Sequence, residues 1–197
     1  MASSRLLLAT NNAHKVTEFR RLLTDIPHEL VTPADIGLSL DVEETGTTFE
    51  ENATLKAEAF AEASGLLSLA DDSGIEVEVL DGRPGVESAR HGGVGLSDED
   101  RMLLLLKEMV EVPDRARSCR YRVVLVLAHP DGTQQVTQGT CVGRLAHKPE
   151  GANGFGYDPI FYIPMFERTI AQLTPEEKDS ISHRGQAARA MAALLMQ

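Results

Sequence analysis

The sequence predicts a mixed α/β fold in a single domain spanning residues 1–197. Three observations carry this: short apolar runs of strand length alternate with amphipathic helical patterns, those patterns open on capping residues, and two strand-like runs late in the chain are separated only by a tight turn. A length of 197 residues is near that of one domain and buries a proper core. With 42% hydrophobic and 25% charged residues, no tryptophan and no repeated or low-complexity block, the composition is that of an ordinary globular protein.

In chain order, "RLLLAT" (5–10) reads as a short buried strand, "NNA" as a turn and "HKVTEFRRLLTD" (14–25) as an amphipathic helix. A second helix starts near Thr48, where Thr48 and Glu51 form a capping box, and ends at Gly65. "LLSLADDSGIEVEVL" then reads as two strand-like pieces on either side of a carboxylate pair. Ser97 opens a third helix, with Pro113 beyond its end. "YRVVLVLAH" and "QQVTQGTCVGRLA" read as antiparallel strands joined by "PDGT". Thr174, Pro175 and Glu177 make another capping box leading toward a terminal helix, "SHRGQAARAMAALLM".

Composition excludes several function classes. A formal net charge of −11 argues against a polymeric nucleic-acid partner, which needs a basic stripe, while leaving room for a small anion gathered by local cations or a metal. Cys119 and Cys141 lie in strand-like apolar surroundings with no Cys-x-x-Cys spacing, which reads as reduced core thiols rather than a zinc site. "MASSRLLLAT" does not read as a signal peptide and no window approaches membrane-spanning length, so a soluble, cytoplasmic protein with no membrane partner is expected.

Asp71 and Asp72, at the end of an apolar run, pose the central question, because a buried carboxylate costs several kcal/mol unless something pairs with it. They are either a solvated turn or a site. Thr10, Asn11 and Asn12 follow a strand and Lys15 sits in the first turn of the next helix, where N–H groups and the helix dipole favour an anion; an Asn-rich turn with an exposed lysine is the plainer alternative. Glu43 and Glu44 precede a glycine turn and could meet Asp71 and Asp72 in a hard-cation site of carboxylate oxygens, or form a solvated acidic loop. Lys56 faces either a cleft or water. Arg90 and His91 lie in a glycine-rich loop. Around Phe155, Gly156, Tyr157 and Asp158, glycines permit close approach to a flat ligand while the rings offer a stacking face. Lys178, His183 and Arg184 form a donor-rich patch near a helix start.

Taken together, "TNNAHK", "EETGTTFEENATLKA", "ADDSG", "PGVESAR", "FGYDPIF" and "SHRG", in this order over most of the chain, resemble the inosine triphosphate pyrophosphatase family of non-canonical purine nucleoside triphosphate pyrophosphohydrolases. The resemblance implies an elongated central mixed β-sheet flanked by helices, with two lobes, the active-site cleft between them, and a homodimer. It implies Mg²⁺-dependent hydrolysis of ITP, dITP or XTP between the α- and β-phosphates, giving the monophosphate and pyrophosphate and so cleansing the nucleotide pool. Residue by residue, it implies that Thr10, Asn11, Asn12 and Lys15 hold the triphosphate, with Lys56 a second phosphate contact. Glu43 and Asp72 bind the metal, Asp72 is also the general base, Asp71 supports the metal or its waters, and Ser73 touches the substrate. Phe155, Gly156, Tyr157 and Asp158 form the base pocket, completed by Lys178, His183 and Arg184. His14 departs from the family, which commonly has a small residue there, so the conformation of that loop is in question while its anchor residues are retained.

Selection at the purine 6-position follows from hydrogen-bond chemistry, since donors aimed at a keto oxygen meet a donor amino group in ATP. The serine- and arginine-rich opening loop of the Maf-like pyrophosphatases is absent. A non-catalytic nucleotide sensor would keep the pocket but could dispense with the Glu43 and Asp72 pair, and both are present.

Overall fold

The structure, a computed structural model, describes residues 4–197, and the first three residues of the "MASSRLLLAT" stretch lie outside them. Its seven strands form one sheet, β1 (Ser4–Leu8), β2 (His28–Val31), β3 (Leu67–Val77), β4 (Ser118–Ala128), β5 (Gln134–Leu145), β6 (Phe161–Ile163) and β7 (Arg168–Thr169), in the order β2-β1-β3-β4-β5-β6-β7. The helices are α1 (Ala13–Leu22), α2 (Phe49–Ser64), α3 (Asp98–Glu108), α4 (Pro175–Ile181) and α5 (His183–Leu195).

Connection length decides strand direction. β1 pairs parallel with β2 through the crossover helix α1, and parallel with β3. β4 and β5 are neighbours joined by residues 129–133, closed by His129 N–H on Thr133 O at 2.9 Å, a loop that joins only antiparallel strands. β6 pairs antiparallel with β5 and β7, so it is an inner strand and β7 is the edge. The mixed α/β fold read from the sequence is the one observed.

The capping residues set the helix starts. Thr48/Glu51, Ser97/Asp100 and Thr174/Glu177 each close a reciprocal capping box, and α2 stops at Gly65, whose φ of 66° suits a residue without Cβ. The main departure is β3, a single 11-residue strand rather than two pieces about a turn. Its burial is nearly continuous, as in a strand covered on both faces, and Asp71 and Asp72 are 2% and 5% exposed.

The chain divides into two compact units, one comprising residues up to Asp72, Val123–Gly139 and Arg184–Gln197, the other Ser73–Arg122 and Thr140–His183. The first is built on Leu6, Leu8, Phe19, Leu69, Leu125 and Met191. The second is built on Ile75, Leu105, Tyr121, Ile160 and Phe161. Cys119 and Cys141 are buried free thiols in the second core.

Candidate active site

The residues picked out in the sequence are shared between the two units, and consecutive residues Asp72 and Ser73, like His183 and Arg184, fall in different units.

In the first unit, Asn12 caps α1, its Oδ1 accepting from His14 N–H at 2.9 Å and Lys15 N–H at 3.2 Å. Thr10 Oγ1 accepts Asn12 N–H at 3.2 Å, and Asn11 Nδ2 donates to Leu40 O at 3.1 Å. The opening loop is therefore shaped by its own polar side chains, with His14 exposed. The loop brings Lys15 Nζ to 3.0 Å from Asp71 Oδ2. Arg184, 2% exposed, donates to the same oxygen at 3.0 Å and to Glu18 Oε2 at 2.7 Å. Burial alone would push the Asp71 carboxyl up, but Lys15, Arg184 and Lys56 outweigh it and hold the group well below the usual carboxylate range. Asp71 thus fixes two cations.

Asp72 has the opposite character. Burial pushes its carboxyl above the ordinary value, Glu44 adds to the rise, and Lys56 opposes it. Lys56 Nζ stands 3.6 Å from Asp72 Oδ1 and is hydrogen-bonded to Glu44. Burial would lower the Lys56 ammonium, but Asp72, Asp71 and Glu44 raise it. Asn52, 0% exposed, donates through Nδ2 to Asp72 Oδ2 at 3.1 Å and accepts Gly46 N–H at 2.8 Å. A Cβ on Gly46 would fall 2.6 Å from Asn52 Oδ1, which is why the acidic loop carries glycine there. Of the two loop acids it is Glu44 that faces Lys56 and Asp72, while Glu43 is exposed. Among the described residues no three His, Cys, Asp or Glu side chains form a ready metal cage.

In the second unit, Asp158 Oδ2 accepts Phe155 N–H at 3.0 Å and Lys178 Nζ at 2.6 Å, and Lys178 Nζ lies 5.1 Å from the Phe155 ring centroid. Asp158, Lys178 and His183 are buried, while Phe155 and Gly156 are half-buried. A Cβ on Gly154, whose φ is +77°, would strike Asp158 Oδ2 at 2.0 Å. Tyr157 is placed differently from the ring beside it: its hydroxyl donates to Ser88 O at 2.8 Å, deep in the core. Ser88 Oγ accepts Ile75 N–H at 2.9 Å and donates to Gly85 O, so "PGVESAR" braces the strand just after half-buried Ser73. Arg90 and His91 pair with Glu87 and Glu108.

Sequence reasoning passed over Glu18 and gave Asn52, seen only as sharing a helix face with Lys56, no role of its own. Asn52 left a signal: it stands four residues before Lys56 on α2, and so on the same face. Glu18 left none, its partner Arg184 being 166 residues away.

The sequence profile of the Ham1 family matches residues 6–194. A dITP/XTP pyrophosphatase of Streptomyces coelicolor is 49% identical over 190 residues, 95% of each chain. One of Yersinia pestis is 46% identical over 189 residues, again 95% of each. Among solved structures, a HAM1 protein from Coxiella burnetii superposes with a TM-score of 0.88 at 39% identity over 98% of both chains. A nucleoside-triphosphatase (dITP/XTP pyrophosphatase) from Mycobacterium abscessus superposes with a TM-score of 0.76 at 42% identity, over 98% of this chain and 100% of that one. With likeness in sequence and in fold running almost end to end, the chain belongs to the Ham1 family.

Proposed function

We propose that the protein hydrolyses non-canonical purine nucleoside triphosphates, dITP, ITP and XTP, to the monophosphate and pyrophosphate. The observation that carries this is Asp72: a buried carboxylate raised above its ordinary range, oriented by Asn52, in the same unit as Lys15, Lys56 and Arg184. Lys15 and Lys56 are suited to the phosphates, Lys15 standing in the first turn of α1 at the positive end of its dipole. Asp72 takes the proton of the water that attacks the α-phosphorus, a role for which a raised carboxylate is better matched than a normal one. Phe155 offers the purine a stacking face, and Lys178 and His183 offer donors to a 6-keto oxygen that the 6-amino group of adenine cannot accept.

Asp72 and an acid of the 43–44 loop also fit a hard divalent cation, since both supply carboxylate oxygens and Mg²⁺ completes its shell with water and phosphate rather than with an all-protein cage. When bound, Mg²⁺ would neutralise phosphate charge and acidify a water. Glu43 and Asp72 are the ligands the family resemblance implies, and Glu44, already beside Asp72, is the nearer alternative to Glu43. No helix is long and apolar enough to cross a membrane among the described residues. A cytoplasmic place of work and a homodimer accompany this reading.

The test is pyrophosphate release from ITP, dITP, XTP, GTP and ATP in parallel, with Mg²⁺ and with EDTA, and chromatographic identification of the nucleotide product. Metal-dependent conversion of ITP or XTP to the monophosphate, with ATP nearly untouched, is expected. Diphosphate plus orthophosphate would move the cleavage point, and nucleotide binding without turnover would replace the hydrolase by a sensing protein.

A further inference from the structure

The "PGVESAR" stretch (84–90) has no place in the chemistry described so far. After β3 the chain turns back on itself, with Val77 N–H donating to Arg83 O at 3.2 Å and Glu76 bridging Pro84, so the stretch returns along the strand it has just left. Its Ser88 is 5% exposed and uses both of its oxygens. Oγ accepts Ile75 N–H at 2.9 Å and donates to Gly85 O at 2.5 Å, and the backbone O accepts the Tyr157 hydroxyl at 2.8 Å.

These bonds reach two different parts of the candidate site. Ile75 is two residues past Ser73, which the family resemblance places on the substrate. The approach there is close: a Cβ on Gly74 would fall 2.3 Å from Gly85 O and 2.4 Å from Ser88 Oγ, so the strand carries glycine where the returning chain lies against it. Tyr157 sits inside the base-pocket loop, between half-buried Gly156 and buried Asp158. Asp158 Oδ2 holds that loop from within, taking Phe155 N–H at 3.0 Å and Lys178 Nζ at 2.6 Å, while the Tyr157 hydroxyl ties it to Ser88 and through Ser88 to β3. A buried tyrosine needs some partner for its hydroxyl, and the partner here is the residue that also fixes the strand beside Ser73. All of these residues belong to the second unit.

We infer that Ser88 and Tyr157 are positioning residues that fix the spacing between Ser73 on β3 and the loop of Phe155 and Asp158, so that a nucleotide touching both meets them at one separation. The inference rests on the base-pocket reading above, and it moves Tyr157 from a contact with the base to the strut behind it. Small displacements of groups that must be met together are costly to binding, which gives the strut its value.

Tyr157→Phe keeps the buried ring and removes the hydroxyl, and Ser88→Ala removes the bond to Ile75 while keeping the carbonyl that Tyr157 uses. In each variant KM for ITP is expected to rise by roughly three- to tenfold, the worth of about one hydrogen bond, with kcat within about threefold of wild type and circular dichroism unchanged. The double variant should raise KM by less than the product of the two single effects, because either loss already uncouples the strand from the loop. A role in packing alone would lower Tm and leave KM at the wild-type value, and two unconnected local effects would multiply in the double variant; either result overturns the inference. Should Ser88→Ala lose its fold, KM of Tyr157→Phe decides alone. The wild-type protein is measured alongside with ITP and ATP. If it fails to prefer ITP, the base-pocket reading fails and the inference with it; if it prefers ITP and the variants keep its KM, only the role of Ser88 and Tyr157 fails.

Discussion

Asp71 and Asp72 are neighbours on β3 with opposite electrostatic fates. Adjacent strand residues point to opposite faces, so one carboxylate meets Lys15 and Arg184 and is locked as an anion, while the other is pushed up by burial and by Glu44 against the opposing pull of Lys56 and Asn52. Asp72→Asn keeps the shape and removes the carboxylate proposed as the base. Turnover should fall by at least about a hundredfold, with far-ultraviolet circular dichroism unchanged; a near-normal rate would unseat Asp72 from its role. Asn52→Ala should act through Asp72: kcat falls about tenfold while KM for ITP stays within about twofold, because the amide touches the base and the Gly46 loop but no phosphate-binding residue. Equal loss in kcat and gain in KM would show a disordered loop instead. Sequence alone displayed Asp72, whose charge stands out at the end of an apolar run, Lys15 in the first turn of a helix after a loop, and Lys56 on the second helix. Glu18 stayed hidden and Asn52 showed only the face it shares with Lys56, since a polar residue on a helix ordinarily faces water and its buried partner is set by tertiary folding.

At the scale of elements, helices were legible because their ends carry chemistry: a hydroxyl and an acid three residues apart fix the starts of α2, α3 and α4 within a residue or so. β3 was misjudged because two carboxylates and a glycine imitate a turn, and only the cations brought by α1, α2 and α5 let the strand run through. The order of strands was not legible at all, because pairing depends on contacts far apart in sequence. One buried cation shows how such contacts hold elements together. Arg117, 2% exposed, donates to Leu145 O at 2.8 Å, Met109 O at 2.7 Å and Ala146 O at 2.9 Å, stitching the end of α3 to the β4–β5 pair. Arg117→Met fills the space and leaves four carbonyls, that of Val112 among them, without this donor. A loss of about 3 kcal/mol is expected, a fall in Tm of roughly 6–12 °C for a chain of this size, with KM unchanged. Arg117→Lys should recover only part, since an ammonium cannot reproduce the guanidinium fork.

At the scale of the whole molecule, an acidic chain that handles a polyanion separates its charges by place: cations are concentrated at Lys15, Lys56 and Arg184, while carboxylates are spread over the exterior and tied into caps and turns. Those ties set the response to acid. Asp35 is lowered by the Thr32 N–H, Glu51 by the Thr47 N–H, Asp100 by the Ser97 hydroxyl, Asp114 by His147, Asp131 by the Thr133 N–H and Glu177 by Arg168, and Asp71 is lowered in the interior. A carboxyl held lower in the folded than in the unfolded chain stabilises the fold above its unfolded value, and that contribution is lost as pH falls through the folded one. Asp72 runs the other way, since its raised carboxyl costs stability near neutrality and is relieved by protonation. Seven lowered carboxyls against one raised one give the sign, and the His28 imidazole, lowered by burial, adds a small loss below about pH 6.5: Tm should drift down slightly from pH 7 to about 5 and fall steadily below about pH 4.5, where free carboxyl groups begin to protonate. Thermal melts from pH 7 to pH 3 check this. A Tm that held level or rose down to pH 3 would mean that these hydrogen bonds persist in the unfolded chain or do not form in the folded one. The capping acids Glu51, Asp100 and Glu177 would then be the first to re-examine, by comparing the acid limb of the wild type with that of Glu51→Gln, whose side chain carries no charge to lose.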